Sequence, residues 1–294
     1  MQEIKIMVFR HAAFYSPLIA AIAAGFLKKE RLTGSYQVLP AGASIIEEVA
    51  SRRVDVAQAA VSLSWNDLEK GQRPSVAQFA QINTRDGFFI AAREPDSDFT
   101  WDRLKSGKFM YVHGGQPEIM LRYGAHRMGI DIDDVKGIHK SSTTEMMDAW
   151  RKGEGDYFHE QGAYPQQLEY EGCAQVVAAV GDAVGPVAFS SLICRWQWLE
   201  TEAAMRFTAA YRAARAWVNS AAADQIAEAE APYFPDHDPA AVARAIESYQ
   251  QMGTWDGDIN IPEDLYDNAL DVFEHAGRIT RRHPYEQVVA PPPE

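Results

Sequence analysis

Between Lys5 and Ser62 short apolar runs alternate with helix-like segments at a spacing that leaves few folds open. The order is IKIMVF, RHAAFYSP, LIAAIAAGF, YQVL, PAGASIIEE and VDVAQAAVS. A strand feeds a polar and aromatic loop, and the loop feeds a helix. A second strand feeds a glycine-containing turn and a second helix, and Asp55 opens a third strand. Strands alternating with helices in this way predict a parallel sheet. Ligands of such sheets sit outside the carboxyl ends of the strands, against helix N-termini. The loops at 10–16, 40–44 and 59–65 are therefore expected to share one rim.

The pattern then recurs. KFMYV at 108–112 reads as a strand, followed by the turn His113-Gly114-Gly115-Gln116-Pro117 and the helical run EIMLRYGAHRMG. Asp156 opens YFHEQG as Asp55 opens VAQAA. Ser44 with Glu47, and Ser142 with Glu145, both fit the S-x-x-E capping box at a helix start. Two similar α/β lobes facing each other across a cleft are the expectation. Residues 1–92 form the first part of lobe one and 93–186 form lobe two. Residues 187–289 return to lobe one as a strand and C-terminal helices, and the proline-rich tail 290–294 is expected to be disordered. GFFIAA at 87–92 and VAFSSLIC at 187–194 are the expected crossovers.

Composition narrows the partners. A formal net charge of −13 argues against nucleic acid and against an anionic membrane surface, both of which call for basic patches. LIAAIAAGF is too short to cross a bilayer, so no membrane insertion is expected. The N-terminus, MQEIKIMVF, lacks the basic region of a secretory signal. The expected location is periplasmic if a leader has been removed, and cytoplasmic otherwise. Cys173 and Cys194 make no disulfide framework, and whether they pair stays open.

The rim supplies the candidate residues. Arg10, His11, Phe14 and Tyr15 follow the first strand and place a cation beside an aromatic face, suited to a planar or anionic ligand. The alternative is that Phe14 and Tyr15 pack beneath the helix. Gly42, Ala43 and Ser44 sit where free N–H groups at a helix start would suit a carboxylate, sulfonate or phosphate, unless Ser44 serves only as a cap. Gly114, Gly115 and Gln116 make the matching offer from the other lobe. Ser62, Ser64 and Trp65 follow the third strand, with Trp65 either a stacking wall or a core residue. His159, Glu160 and Gln161 hold the equivalent place in lobe two. Neighbours on a strand face opposite ways, so His159 and Glu160 are expected to contribute a hydrogen bond to a ligand rather than an acid–base pair. No nucleotide loop, zinc motif or nucleophile elbow is present, and neither cofactor nor metal is expected.

One stretch carries a resemblance. AIAAGFLKKERL resembles the A-x-x-x-G-F-F-x-x-E-G-L opening of the ABC-transporter solute-binding proteins that include the thiamine-pyrimidine-precursor, taurine and alkanesulfonate binders. PAGASIIEEVASRRVDVAQA matches their next signature, with Arg53 in place of the usual glycine. Gly114, Gly115, Pro117, Leu121, Gly129, Ile130, Asp131, Asp134 and Val135 match the signature of the second lobe. The resemblance implies a periplasmic-binding-protein-like fold of type II: two α/β lobes joined by two crossover strands, with a helical C-terminal extension on lobe one. It implies hinge closure on a small-molecule ligand, an ABC permease as partner, and a monomer. A cytoplasmic enzyme on the same scaffold stays open as a second reading. Against it, the chain lacks the cysteine-rich iron motif of the pyrimidine-precursor synthase and the early-loop cysteine of the sulfinate desulfinase.

Overall fold

The structure, a computed structural model, describes residues 1–140 and 142–294. Among the described residues, ten strands build two sheets. They are β1 Gln2–Val8, β2 Leu32–Val38, β3 Val56–Ala59, β4 Val76–Asn83 and β5 Phe88–Ala92, then β6 Lys108–Met110, β7 Lys136–Ile138, β8 Tyr157–Gln161, β9 Gln175–Ala179 and β10 Ser190–Arg195. The first sheet has the order β2-β1-β3-β10-β4 and the second β7-β6-β8-β5-β9. The two orders are the same plan used twice, which is the structural form of the sequence recurrence.

Neither sheet is purely parallel, and this corrects the sequence expectation. β1 runs parallel to β2 and β3, but β10 is antiparallel to both β3 and β4. In the second sheet β6 is parallel to β7 and β8, whereas β5 is antiparallel to β8 and β9. The cause is the double crossing of the chain. It leaves the first sheet through 84–87 and returns through 180–189, and each arrival inserts one reversed strand beside the last native one.

The crossings are tightly packed. Phe14 is fully buried against the rings of Tyr15, Phe189 and Tyr249. A Cβ on Gly87 would fall inside the contact distance of the Phe14 ring, and one on Gly181 would collide with the backbone of Asp86. Tyr249 ties the crossing to lobe two, donating to the Gly87 carbonyl and accepting from the Gly162 N–H, each at 2.8 Å.

The first helix, Ser16–Ala23, is buried from Ser16 to Ala21, as its all-round apolar sequence requires. It packs on Glu202–Ser220, the longest helix. Pro239–Gln251 reaches the lobe-two helix Tyr164–Tyr170, and Glu263–His275 touches Gly115–Arg127, so the C-terminal extension braces both lobes. Both predicted caps form: Ser44 accepts from the Glu47 N–H and Ser142 from the Glu145 N–H. The tail is not free at its start. The Ala290 N–H donates to the Gln78 carbonyl at 2.9 Å, and Ala290 and Pro292 are buried. The cysteines are free thiols, Cys194 buried and Cys173 partly so. No helix among the described residues is long and apolar enough to cross a membrane.

Candidate functional site

The central strands of the two sheets end on one cleft of about 730 Å³. Lobe one contributes Phe9, Arg10, Tyr15, Gln58 and the segment around Ser62 and Trp65; lobe two contributes Phe88, His113 to Pro117 and Gln161; the returning crossover contributes Phe189 and Ser190. A second groove of about 800 Å³ lies on the surface between Gly115–Arg127 and the end of Glu263–His275. The first is the candidate site, because strand ends from both lobes and six phenylalanine, tyrosine and tryptophan rings converge there.

The cleft floor is a set of amides and hydroxyls held by the strands beneath. Gln58 accepts from the Phe9 N–H at 3.0 Å and donates to Ser190 Oγ at 3.1 Å. Gln161 Nε2 lies 3.5 Å from the Tyr15 hydroxyl, while its Oε1 has no partner among the described residues although the residue is only 1% exposed. Under the floor, Gln78 accepts from Ser191 at 2.6 Å and donates to Ser64 Oγ at 3.2 Å, and Gln81 donates to the Ser190 carbonyl at 3.1 Å. These partners offset the cost of burying most of the polar atoms in the set.

Besides the long Gln161–Tyr15 contact, two shorter ties cross the cleft. Arg10 Nη1 meets Glu160 Oε1 at 2.6 Å, with Glu160 fully buried and also accepting from Thr143 and the Gln161 N–H. Gln116 accepts from Ser62 Oγ at 3.1 Å and donates to the Phe189 carbonyl at 2.8 Å. Arg10 also lies 5.7 Å from the centre of the Phe88 ring.

Of the sixteen residues singled out from sequence, eight line this cleft: Arg10, Tyr15, Ser62, Trp65, Gly114, Gly115, Gln116 and Gln161. Trp65 does so from within the helix Ser62–Glu69 rather than from a loop. Its indole N–H donates to the Tyr266 hydroxyl at 2.8 Å, and its ring packs edge-on to Tyr266 and Phe273, so the core role and the wall role coincide.

The other eight lie elsewhere. Gly42, Ala43 and Ser44 follow β2, which is the edge strand, so their loop projects beyond the cleft. His11 turns away to Tyr36 and to the Tyr233 carbonyl, and rests on Phe234. Burial there lowers its pKa, the Tyr233 carbonyl pulling the other way. Phe14 is the wedge between the crossings, and Ser64 is spent on Gln78. His159 and Glu160 face opposite ways, as alternation requires. His159 stacks on Phe88 and meets the Phe109 ring edge-on, and burial, helped by the nearby Arg10, lowers its pKa to about 3. It is a neutral core ring and does not reach the cleft.

Gln58, Phe88, Phe189 and Ser190 were missed from sequence. A glutamine inside an otherwise apolar strand, as in VAQAA, was the available signal, because a strand buried on both faces carries an amide only where partners await it.

No family model matches the chain. A Bacillus subtilis (strain 168) protein named as a candidate binding protein, YtlA, is 27% identical over 293 residues, covering 98% of this chain and 88% of its own. Among solved structures, the ligand-binding component of an ABC-type import system from Staphylococcus aureus, with zinc bound, superposes with a TM-score of 0.76 at 15% identity, over 99% of this chain and 97% of that one. The alkanesulfonate-binding protein SsuA from Xanthomonas axonopodis pv. citri, bound to MOPS, gives 0.74 at 14% identity, over 99% of both chains. The chain has the periplasmic-binding-protein fold.

Proposed function

We propose that the protein is a non-catalytic binder of a small organic solute, which it holds in the interlobe cleft and presents, closed, to an ABC-type import permease. The observation that carries this reading is the cleft itself: its walls come from both lobes, and the only covalent links between the lobes are two short crossings. A ligand touching both walls favours the closed arrangement by its preference for that state and by nothing else. Phe88, Phe189, Tyr15 and Trp65 offer apolar faces, and Arg10, Gln58, Ser62, Gln116, Gln161 and Ser190 the polar contacts. The likeness to import components supports a periplasmic place of work. An alkanesulfonate is the ligand class that the Xanthomonas neighbour brings into consideration. The enzyme reading finds no support: neither Cys173 nor Cys194 lines the cleft, and the named relatives are binding proteins.

The test is a thermal-shift screen of thiamine precursors, sulfonates, aromatic carboxylates and amides. A ligand at about 100 times its dissociation constant adds about 2.7 kcal/mol of stability. Gln58→Ala and Phe88→Ala should each weaken the hit by about tenfold or more. Unchanged affinity in both variants would place the ligand outside the cleft.

A further inference from the structure

Taking the cleft as the binding site, we infer that it selects an uncharged planar ligand bearing both hydrogen-bond donors and acceptors, of the carboxamide or lactam kind, and discriminates against anions. Three places beside the cleft are chemically suited to hold an anion, and each is already paired, partly filled or misplaced. Arg10 is paired at 2.6 Å with Glu160, whose carboxylate is fully buried. An incoming anion would meet the attraction of one and the repulsion of the other while losing its water. The start of the helix Gly115–Arg127 is already faced by a carboxylate of the chain itself: the Gly114 N–H donates to Glu118 Oε2 at 2.6 Å. Burial alone would raise the Glu118 carboxyl, but Gly114 and Arg122 outweigh it and hold the group below its ordinary range. The third place, the helix start at Ser44, lies outside the cleft and is capped by Ser44.

The remaining charges do not alter this. Glu69 is occupied by Thr280 and by His283 at 2.7 Å. Arg278 is exposed at the rim, where solvent screens it. The Arg10–Glu160 pair thus brings no net charge to the cleft, and the amides along its floor keep hydrogen-bonding capacity. A carboxamide has two donors and two acceptor lone pairs. Gln58 and Gln116 each use one of each on the protein, and Gln161 Oε1, nearly inaccessible to solvent, uses none. Three such groups beside Phe88 and Phe189 match a flat molecule whose rim alternates donors and acceptors.

Matched probe pairs test this by calorimetry and thermal shift: benzamide against benzoate, nicotinamide against nicotinate, and benzenesulfonamide against benzenesulfonate. In the unmodified protein no anion should bind more tightly than its uncharged partner. Glu160→Gln keeps an acceptor for Arg10 but removes the opposing charge, and should raise affinity for the anions by about tenfold or more. Glu118→Gln, at a partly buried site, should move the anions the same way by a smaller factor, and it serves if the fully buried variant fails to fold. An anion that outbinds its partner in the unmodified protein, or unchanged anion affinity in the folded variants, overturns the inference. An anion bound in the cleft leaves the solute-binding reading standing, whereas a hit from the full screen that ignores Gln58→Ala and Phe88→Ala removes that reading as well.

Discussion

Asp86 sits in the first crossing with no exposed surface, and replacing it by asparagine should make the protein more stable. Its Oδ1 accepts from the Phe88 N–H at 2.7 Å, and its Oδ2 has no partner among the described residues. Burial, partly offset by the Phe88 N–H, pushes its carboxyl from 3.8 up to about 8. The folded chain therefore keeps a proton that the unfolded chain has lost. The stability tied to this group is full below about pH 4 and drains away as pH rises towards 8. At 1.36 kcal/mol per pH unit, holding the acid neutral costs about 4 kcal/mol at pH 7. Relaxation and water entry reduce such figures, so about 2–4 kcal/mol is expected. Asp86→Asn retains the acceptor for Phe88 and has no proton to lose. Urea unfolding of both proteins at several pH values between roughly pH 5 and pH 8 measures the difference. The gap should widen steadily in favour of the variant as pH rises. Parallel pH profiles, or a variant less stable at about pH 8, would refute the burial argument.

Other perturbations give distinct readings. His159, neutral between Phe88 and Phe109, has a pKa lowered to about 3 from 6.5, so its contribution is present above about pH 6.5 and lost as pH falls. His159→Phe should gain about 2 kcal/mol over the unmodified protein at roughly pH 5 in urea unfolding, and much less at pH 7. Gly87→Ala should cost about 3 kcal/mol in the same assay, because Phe14, wedged among Tyr15, Phe189 and Tyr249, cannot yield. Gln116→Ala removes the tie to Ser62 and Phe189 and should lower stability by only about 1 kcal/mol while enlarging the radius of gyration seen by small-angle X-ray scattering.

How much of this could be read from the chain depends on the range of the interactions involved. Local signals were reliable: the Ser44 and Ser142 caps form as their S-x-x-E spacing predicts, and the apolar helix at Ser16 is buried. The reversed strands β5 and β10 were not readable, because strand direction within a sheet is set by partners far along the chain. The same limit misplaced the loop 42–44. It ends a strand like the others, but β2 takes the edge position, and only the inner strands point at the cleft. Adjacent residues separated as expected: Glu160 meets Arg10 while His159 enters the core. The amides of Gln58 and Gln78 lay inside runs that read as apolar, and their purpose emerged only with their partners.

Hydrogen exchange with and without a ligand taken from the screen addresses the cleft itself. Binding between the lobes should slow exchange together at 58–63 and 188–190 on one wall and at 112–117 and 159–162 on the other. Protection confined to a single lobe, or to the surface groove beside His126 and His275, would contradict it.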